Sequence, residues 1–447
     1  MENSQVYDFI GIGIGPFNLG LAALSQPIEA CNAVFLDKRE EFNWHLGLML
    51  DEATLQVPFM ADLVTMADPT SAYSFLNFMK HTNRIYKFYI RENFFILRRE
   101  YNAYCRWVIS QLSNCRFSQE VLEVSYINGL YMLAVRNTKT KEIITYKAKK
   151  IVLGTGTQPY MPKNIRTKNL DKVIHTADYL YRKKELLKEK SITIVGSGQS
   201  AAEIFHDLLP YTRNGLHLNW ITRSDRFFPL ENHARLTLEL TSPDYVDYFY
   251  ALPDAKRAQL LSKQNILYKG VNYDLINQIF NELYAMETTD GKVNVTMMAN
   301  SELKDISSDN EQTYNLRFLQ QEQDKLYKLS TNFVILATGY KYIEPAFLAG
   351  IEDRLERTAA NMLDVKRNYT IDKTQAEIYV QNAELHSHGF VTPDLGMGAY
   401  RNSYILNELL GRIVYKVEEK IAFQTFGAEA MEQSNREKQL NETKIYQ

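Results

Sequence analysis

Short apolar runs that stop at glycine recur along this chain, and two of them set its plan. Tyr7-Asp8-Phe9-Ile10 leads into Gly11-Ile-Gly13-Ile-Gly15-Pro16-Phe17-Asn18-Leu19, and Ser191-Ile192-Thr193-Ile194-Val195 leads into Gly196-Ser197-Gly198-Gln199-Ser200-Ala201-Ala202, 185 positions later. Each predicts a strand, a tight turn and a helix, the unit in which glycines let backbone N–H groups meet a pyrophosphate at a helix N-terminus. A second strand follows each turn. Ala33-Val34-Phe35-Leu36 ends at Asp37, and Leu218-Asn219-Trp220-Ile221-Thr222 ends in Arg223-Ser224-Asp225-Arg226. The pattern predicts an α/β chain with two Rossmann-like dinucleotide-binding domains.

The ends of the second strands separate the two nucleotides. Asp37 stands where a carboxylate accepts hydrogen bonds from a ribose diol. Arg223 suits a 2′-phosphate, which favours NADPH over NADH. Two further runs, Lys150 to Leu153 before Gly154-Thr155-Gly156 and Asn332 to Ala337 before Thr338-Gly339-Tyr340, predict strands that close a dinucleotide domain where the chain crosses over. The expected organisation is an FAD domain from 1–163 and 332–427, an NADPH domain from 164–235 and 286–331, a helical substrate-binding insert at 236–285, and a polar tail at 428–447. In the insert, Tyr245, Tyr248, Phe249 and Tyr250 are aromatic. Leu275, Ile279 and Phe280 are expected on one helix face. Strands resume at Val293 to Thr296 and Tyr314 to Phe318.

Composition narrows the classes. With 447 residues there is room for about three domains. The balance of 51 basic against 53 acidic residues, a formal charge of −2, gives no electrostatic case for nucleic acid. Cys31, Cys105 and Cys115 are odd in number and lack C-x-x-C spacing, so buried free thiols are expected rather than disulfides or a metal site. No apolar run approaches a membrane span, and no signal peptide precedes the first strand, which predicts a cytoplasmic protein.

A flavin and a reduced nicotinamide on one chain leave few chemistries. A disulfide reductase needs a cysteine pair that is missing, whereas an oxygenase needs a shaped cavity over a flavin that carries the hard chemistry. An NADPH oxidase or reductase and a nucleotide-sensing flavoprotein remain as rivals.

Here a resemblance becomes specific. Gly11 to Leu19, Phe42-Asn43-Trp44-His45, Leu55-Gln56-Val57-Pro58-Phe59, Asp62-Leu63-Val64-Thr65, His175 to Tyr179, Gly196 to Glu203 and Ala337 to Tyr340 resemble segments of the flavin-dependent N-hydroxylating monooxygenases, the lysine, ornithine and diamine N-hydroxylases of siderophore assembly. The resemblance implies FAD, NADPH, dioxygen and a neutral primary amine that attacks a flavin hydroperoxide, with no side chain doing the chemistry. It implies Gln56, Trp44 and His45 beside the flavin, Gly11, Gly13, Gly15, Pro16 and Asn18 on the FAD phosphates, and Val121, Pro393, Asp394 and Leu395 as further FAD contacts. It places Gly196, Ser197, Gly198, Gln199, Arg223 and Ser224 on NADPH, and it implies a homo-oligomer, commonly a tetramer.

One departure bears on the substrate. The amino-acid hydroxylases of the family carry lysine in Gln-x-x-Phe-x-Lys-Asp-Leu, where its ammonium holds the substrate carboxylate; this chain has Ala61 there. Leu238, Leu267 and Gly396 align with three further polar ligands. A lysine about 5 Å from a second ammonium would repel it by roughly 3 kcal/mol at an effective dielectric near 20, so its loss favours a decarboxylated amine. Putrescine or cadaverine is expected, with histamine, lysine and ornithine as alternatives. Glu239, Glu231 and Asp62 are candidates for the distal ammonium.

Overall fold

The computed structural model describes residues 2–428 apart from 30, 163–164, 166–169, 232–233 and 311–312. The expected boundary at 163/164 and the tail from 429 onward lie outside the described residues.

The first sheet is built from β1 (Glu2–Ile12), β2 (Ala33–Leu36), β3 (Cys115–Arg116), β4 (Gln119–Ile127), β5 (Leu130–Asn137) and β6 (Ile143–Leu153), in the order β3-β2-β1-β6-β5-β4. Strands β3, β2, β1 and β6 run parallel, and β4, β5 and β6 form an antiparallel meander. A linker of β7 (Thr157–Pro159) then leads to β8 (Val173–His175), β9 (Ser191–Val195), β10 (His217–Ile221) and β11 (Val295–Met298). A three-stranded antiparallel sheet follows, made of β12 (Ser301–Asn310), β13 (Thr313–Gln320) and β14 (Lys325–Thr331). Next come β15 (Phe333–Leu336), β16 (Tyr340–Tyr342) and β17 (Ile378–Val380), which adds to β6. The second dinucleotide sheet is parallel, in the order β11-β10-β9-β15-β8.

The central strands read as unbroken apolar runs because both of their faces are covered: Ile192 to Val195 and Phe333 to Leu336 are buried throughout. Helix Arg98–Ile109 buries Tyr101, Tyr104, Cys105 and Val108, one stripe at helical spacing, in the same core as helix Pro16–Ser25.

Two expectations about boundaries change. Phe333 to Leu336 pairs with β9 and β8, so it belongs to the second sheet, and the chain returns to the first domain through β16, which pairs antiparallel with β7. Helix Tyr273–Asp290, expected within the insert, packs Ile276, Ile279, Leu283 and Met286 on the second sheet's core. It is the crossover that parallel β10 and β11 require. Phe280 is 67% exposed and lies off that face. The insert proper consists of Arg235–Leu238, Pro243–Ala251, Asp254–Lys263 and Gln264–Leu267. Pro243–Ala251 starts where Ser242 accepts from the Tyr245 N–H. It buries Tyr245, Val246 and Phe249 against Phe390, Val391 and Met397. Cys31, Cys105 and Cys115 are free thiols, of which only Cys105 is fully buried.

Candidate active site

The two glycine turns are built alike. Gly13 adopts φ +92° with its α-carbon against the Gly154 carbonyl at the end of β6, and Gly196 adopts φ +131° against the Ala337 carbonyl after β15. Any side chain at either place would strike backbone, so both positions demand glycine. Gly15 and Gly198 are the N-caps of helices Pro16–Ser25 and Gln199–Leu208, and no side chain caps either helix. Two backbone-walled turns with uncapped helix N-termini fit two pyrophosphates. Gly11 lies within β1 under the Phe35 ring, one step back from the turn.

Asn18 does not face a phosphate as expected. It is fully buried, donates to the Gly13 carbonyl at 2.9 Å, and accepts from Gln381 Nε2 at 2.6 Å, so it clamps the turn to the sheet from behind. Asp37 differs too. Its oxygens accept from the Ile14 N–H at 2.8 Å and from the Arg39 N–H, Nε and Nη2 at 2.9, 2.9 and 2.7 Å. The carboxylate braces the loop and is held below the usual range by Arg39 and these N–H groups, although burial opposes the shift. Val121 lies on β4, whose first residue donates to the Asp37 carbonyl, at the same end of the domain.

Trp44 and His45 share one wall. His45 is in the left-handed region (φ 55°), its ring meets Trp44 at 4.7 Å and Tyr340 at 5.7 Å, and Tyr340 meets His175 at 5.2 Å. The His45 residue is partly open to solvent. Desolvation, then the Arg98 charge, pushes its pKa down to about 4, so it is neutral at physiological pH. Gln56 is half-buried, and Leu395 packs on the same core as Trp44 and Val57. Pro393 is exposed.

At the second turn, Ser197 and Ser224 hydroxyls lie 3.0 Å apart, joining the glycine loop to the end of β10, and Arg223 is exposed beside them. The Gln199 side chain turns inward, donating to Glu203 at 2.9 Å and accepting the Asn272 N–H at 2.8 Å, so only its backbone remains for the nucleotide. Sequence reasoning missed two cations here. The Lys269 carbonyl is 3.5 Å from a Cβ built on Gly198, and burial, then Arg223 and Lys341, pushes the Lys269 ammonium down. Among the described residues none of the three has an ion-pair partner. Three mutually repelling cations beside an uncapped helix N-terminus fit the phosphates of NADPH. Lys269 lies two residues after Leu267.

The positions expected at the substrate do not all lie together. A Cβ built on Gly396 would lie 3.9 Å from Ala61 Cβ and 3.2 Å from Asp394 Oδ1, so Ala61, Gly396 and Asp394 adjoin. Leu267 packs into the insert cluster with Phe390 and Met397, whereas Leu238 is 46% exposed and outside it. Two of the three acids expected at the ammonium, Asp62 and Glu239, are engaged by backbone N–H groups. Asp62 is buried and accepts from Val64, Thr65 and Phe75, a helix-capping role. Glu239 holds the Phe423 and Gln424 N–H groups at 3.0 Å each, and Glu231 is exposed. Asp394 was expected only as a flavin contact. It accepts the Gly396 N–H at 2.8 Å, capping the short turn Leu395–Met397 through that one bond, and makes no contact ion pair among the described residues; burial raises its pKa, and the Gly396 N–H and the Arg401 charge oppose the rise.

Residues 5–342 match the model of the L-lysine 6-monooxygenase/L-ornithine 5-monooxygenase family. The chain belongs to that family. It is 48% identical over 424 residues to a putrescine N-hydroxylase of Shewanella oneidensis, covering 94% of this chain and 84% of the relative. It is 43% identical over 427 residues to a putrescine N-hydroxylase of Acinetobacter baumannii, with 95% of each covered. An FAD-bound cadaverine monooxygenase of desferrioxamine biosynthesis from Erwinia amylovora superposes with a TM-score of 0.93 at 50% identity, covering 96% of this chain and all of that one. The chain is therefore a flavin N-monooxygenase with two Rossmann-type domains, and FAD and NADPH are its cofactors. Among the described residues no helix is long and apolar enough to cross a membrane, and no group of side chains is set to hold a metal.

Proposed function

We propose that this chain N-hydroxylates a short aliphatic diamine, putrescine or cadaverine, on the way to a siderophore. The observation that carries the reading is the Asp394 carboxylate beside Ala61 and Gly396, with no contact ion pair of its own among the described residues, the nearby Arg401 being paired with Glu384. An α-carboxylate entering there would meet a carboxylate and no lysine at position 61; the free ammonium of a diamine would meet its complement. The names of the relatives, putrescine N-hydroxylase and cadaverine monooxygenase, support the same class.

Bound FAD, reduced by NADPH, would supply the activated dioxygen whose distal oxygen passes to the amine nitrogen. The turns at Gly13 and Gly15 and at Gly196 and Gly198 hold the two pyrophosphates, and Arg223, Lys269 and Lys341 hold the remaining phosphate charge. Trp44, neutral His45 and Gln56 flank the flavin. The Asp394 carboxylate anchors the distal ammonium, whose charge favours the ionised form against the burial that raises its pKa. Apolar Leu267, Phe390 and Met397 disfavour a charge on the reacting nitrogen and so favour the free amine that attacks. A cytoplasmic homo-oligomer, tetrameric by family resemblance, is part of the same reading; exposed Tyr86, Tyr89 and Ile90 on one short helix support association.

The test is hydroxylated product, not NADPH loss, from putrescine, cadaverine, histamine, lysine and ornithine. The diamines are expected to give the highest coupled turnover. Preference for lysine or ornithine would overturn the reading, and NADPH oxidation without hydroxylamine from any amine would assign the chain to the oxidases.

A further inference from the structure

We propose that Glu203 is a positioning residue that sets the NADPH domain against the flavin-side loop through Arg98 and passes the same register to helix Tyr273–Asp290 through Gln199. Glu203 lies in the second turn of helix Gln199–Leu208, the helix that opens at the Gly196 to Gly198 turn. Its two oxygens receive a fork from Arg98, Nη2 to Oε1 at 2.7 Å and Nη1 to Oε2 at 3.0 Å, and the two side chains are only 5% and 11% exposed. Arg98 is the first residue of helix Arg98–Ile109 in the FAD domain. Its Nη1 also donates to the Leu48 carbonyl at 2.7 Å, and its backbone N–H donates to the Ala53 carbonyl at 2.7 Å. Leu48 closes the short turn Leu46–Leu48 that follows His45. Beside it, Gly47 abuts the Ala177 carbonyl of the NADPH domain so closely that a side chain would not fit.

The same carboxylate has a second arm. Glu203 Oε1 accepts Gln199 Nε2 at 2.9 Å, and Gln199 Oε1 accepts the backbone N–H of Asn272 at 2.8 Å. Asn272 caps helix Tyr273–Asp290 by accepting from the Asp274 and Leu275 N–H groups. One acid thus joins the loop carrying His45, the helix that opens at the second glycine turn, and the helix that follows Lys269 and the insert.

A guanidinium fork fixes direction as well as distance, and with both partners buried it cannot be replaced by water without rearrangement. Transfer between nicotinamide and flavin rings needs their reacting atoms ~3–3.5 Å apart, and a 1 Å misplacement costs up to about 100-fold. Glu203 touches neither ring; it acts by fixing the domain that carries one against the loop that flanks the other. The relay is independent of which amine is the substrate.

The experiment uses FAD-loaded Glu203→Gln and Arg98→Lys proteins. Flavin reduction by NADPH, followed by stopped-flow without amine, is expected to slow about 10- to 100-fold at saturating NADPH, with half-saturation moving less than about threefold. Amide hydrogen exchange in the NADPH-free proteins is expected to quicken in peptides spanning 44–50 and 268–276, a readout that needs no turnover. Saturating reduction within about twofold of the parent, a loss confined to half-saturation, or unchanged exchange in both segments would overturn the proposal. If Glu203→Gln does not retain FAD, Arg98→Lys, which keeps the charge and loses the second prong, answers in its place by the same split.

Discussion

Glu384 and Arg401 form an ion pair with only 1% and 2% of their side chains exposed. Arg401 also donates to the Thr392 carbonyl at 2.7 Å and lies 4.4 Å from the Phe17 ring, so it ties the loop before Asp394 to the first glycine-turn helix. Removing one partner leaves a buried, uncompensated charge. Arg401→Met is expected to cost about 3–5 kcal/mol, and Glu384→Leu combined with Arg401→Met to cost less than the single change. Urea unfolding of the FAD-loaded proteins measures both; a single variant within about 1 kcal/mol of the parent would refute the expectation.

Ala61 and Gly396 predict an asymmetry between substrates. Ala61→Lys puts an ammonium beside Asp394, where it neutralises the acid and repels the diamine's far end. The expected result is a fall of about 100-fold in kcat/KM for putrescine, from roughly 3 kcal/mol of repulsion and the lost partner, with little change in flavin reduction by NADPH. Coupled product formation and flavin reduction, measured on the same preparation, separate the two effects.

Asp394 gives a pH dependence with a definite sign. Burial raises its pKa, so its negative charge is lost at a higher pH than for an ordinary aspartate as the solution is acidified. Diamine affinity is therefore expected to fall as pH drops through that raised pKa, and Asp394→Asn to abolish this acid limb while raising KM. A bound ammonium favours the carboxylate and pulls the pKa back down. KM for putrescine across pH, in parent and variant, reads it; an acid limb surviving in Asp394→Asn would exclude this carboxylate.

Lys269 behaves in the opposite sense. Its pKa is lowered by burial and by Arg223 and Lys341, so its charge is lost earlier on the alkaline side than for a free lysine. NADPH affinity is expected to decline as pH rises through that lowered value, and bound phosphate to push the pKa up again. Lys269→Met is expected to raise KM for NADPH about tenfold or more, and to weaken its dependence on salt. Steady-state KM at two ionic strengths checks both statements.

The frame of this molecule was legible because its strands are short, apolar and tied to glycine turns. Ala33 to Leu36 and Ser191 to Val195 occupy the segments the pattern predicts; the turns imply two dinucleotides, and the family comes from the resemblance of several segments along the chain. What pattern does not carry is the direction of polar side chains. Asn18 and Gln199 sit in the motifs yet turn inward, and Asp62 and Glu239 have the right charge but spend it on backbone N–H groups. The sheet that owns Phe333 to Leu336 is a matter of strand pairing, which no local signal reports. That neither Lys269 nor Asp394 makes a contact ion pair among the described residues is a property of the folded surroundings, not of the local sequence.

Glu239 separates an ion-binding role from a structural one. Both of its oxygens accept N–H groups of the C-terminal segment, Phe423 at 3.0 Å and Gln424 at 3.0 Å, and Gln424 Nε2 returns to the Leu236 carbonyl at 2.6 Å. Nearby, Asp244 accepts the Ile421 N–H at 2.9 Å, and Phe426 meets the Tyr245 ring at 5.2 Å. The acids thus fasten residues 421–426 across the insert. Glu239→Ala is expected to leave KM for putrescine within about twofold, since half-exposed Glu239 is screened by solvent and spends its charge on the Phe423 and Gln424 N–H groups, while speeding proteolytic cleavage around residues 420–426. Limited proteolysis followed by mass spectrometry reads the second effect. A large rise in KM with unchanged cleavage would return Glu239 to the substrate and take that role from Asp394.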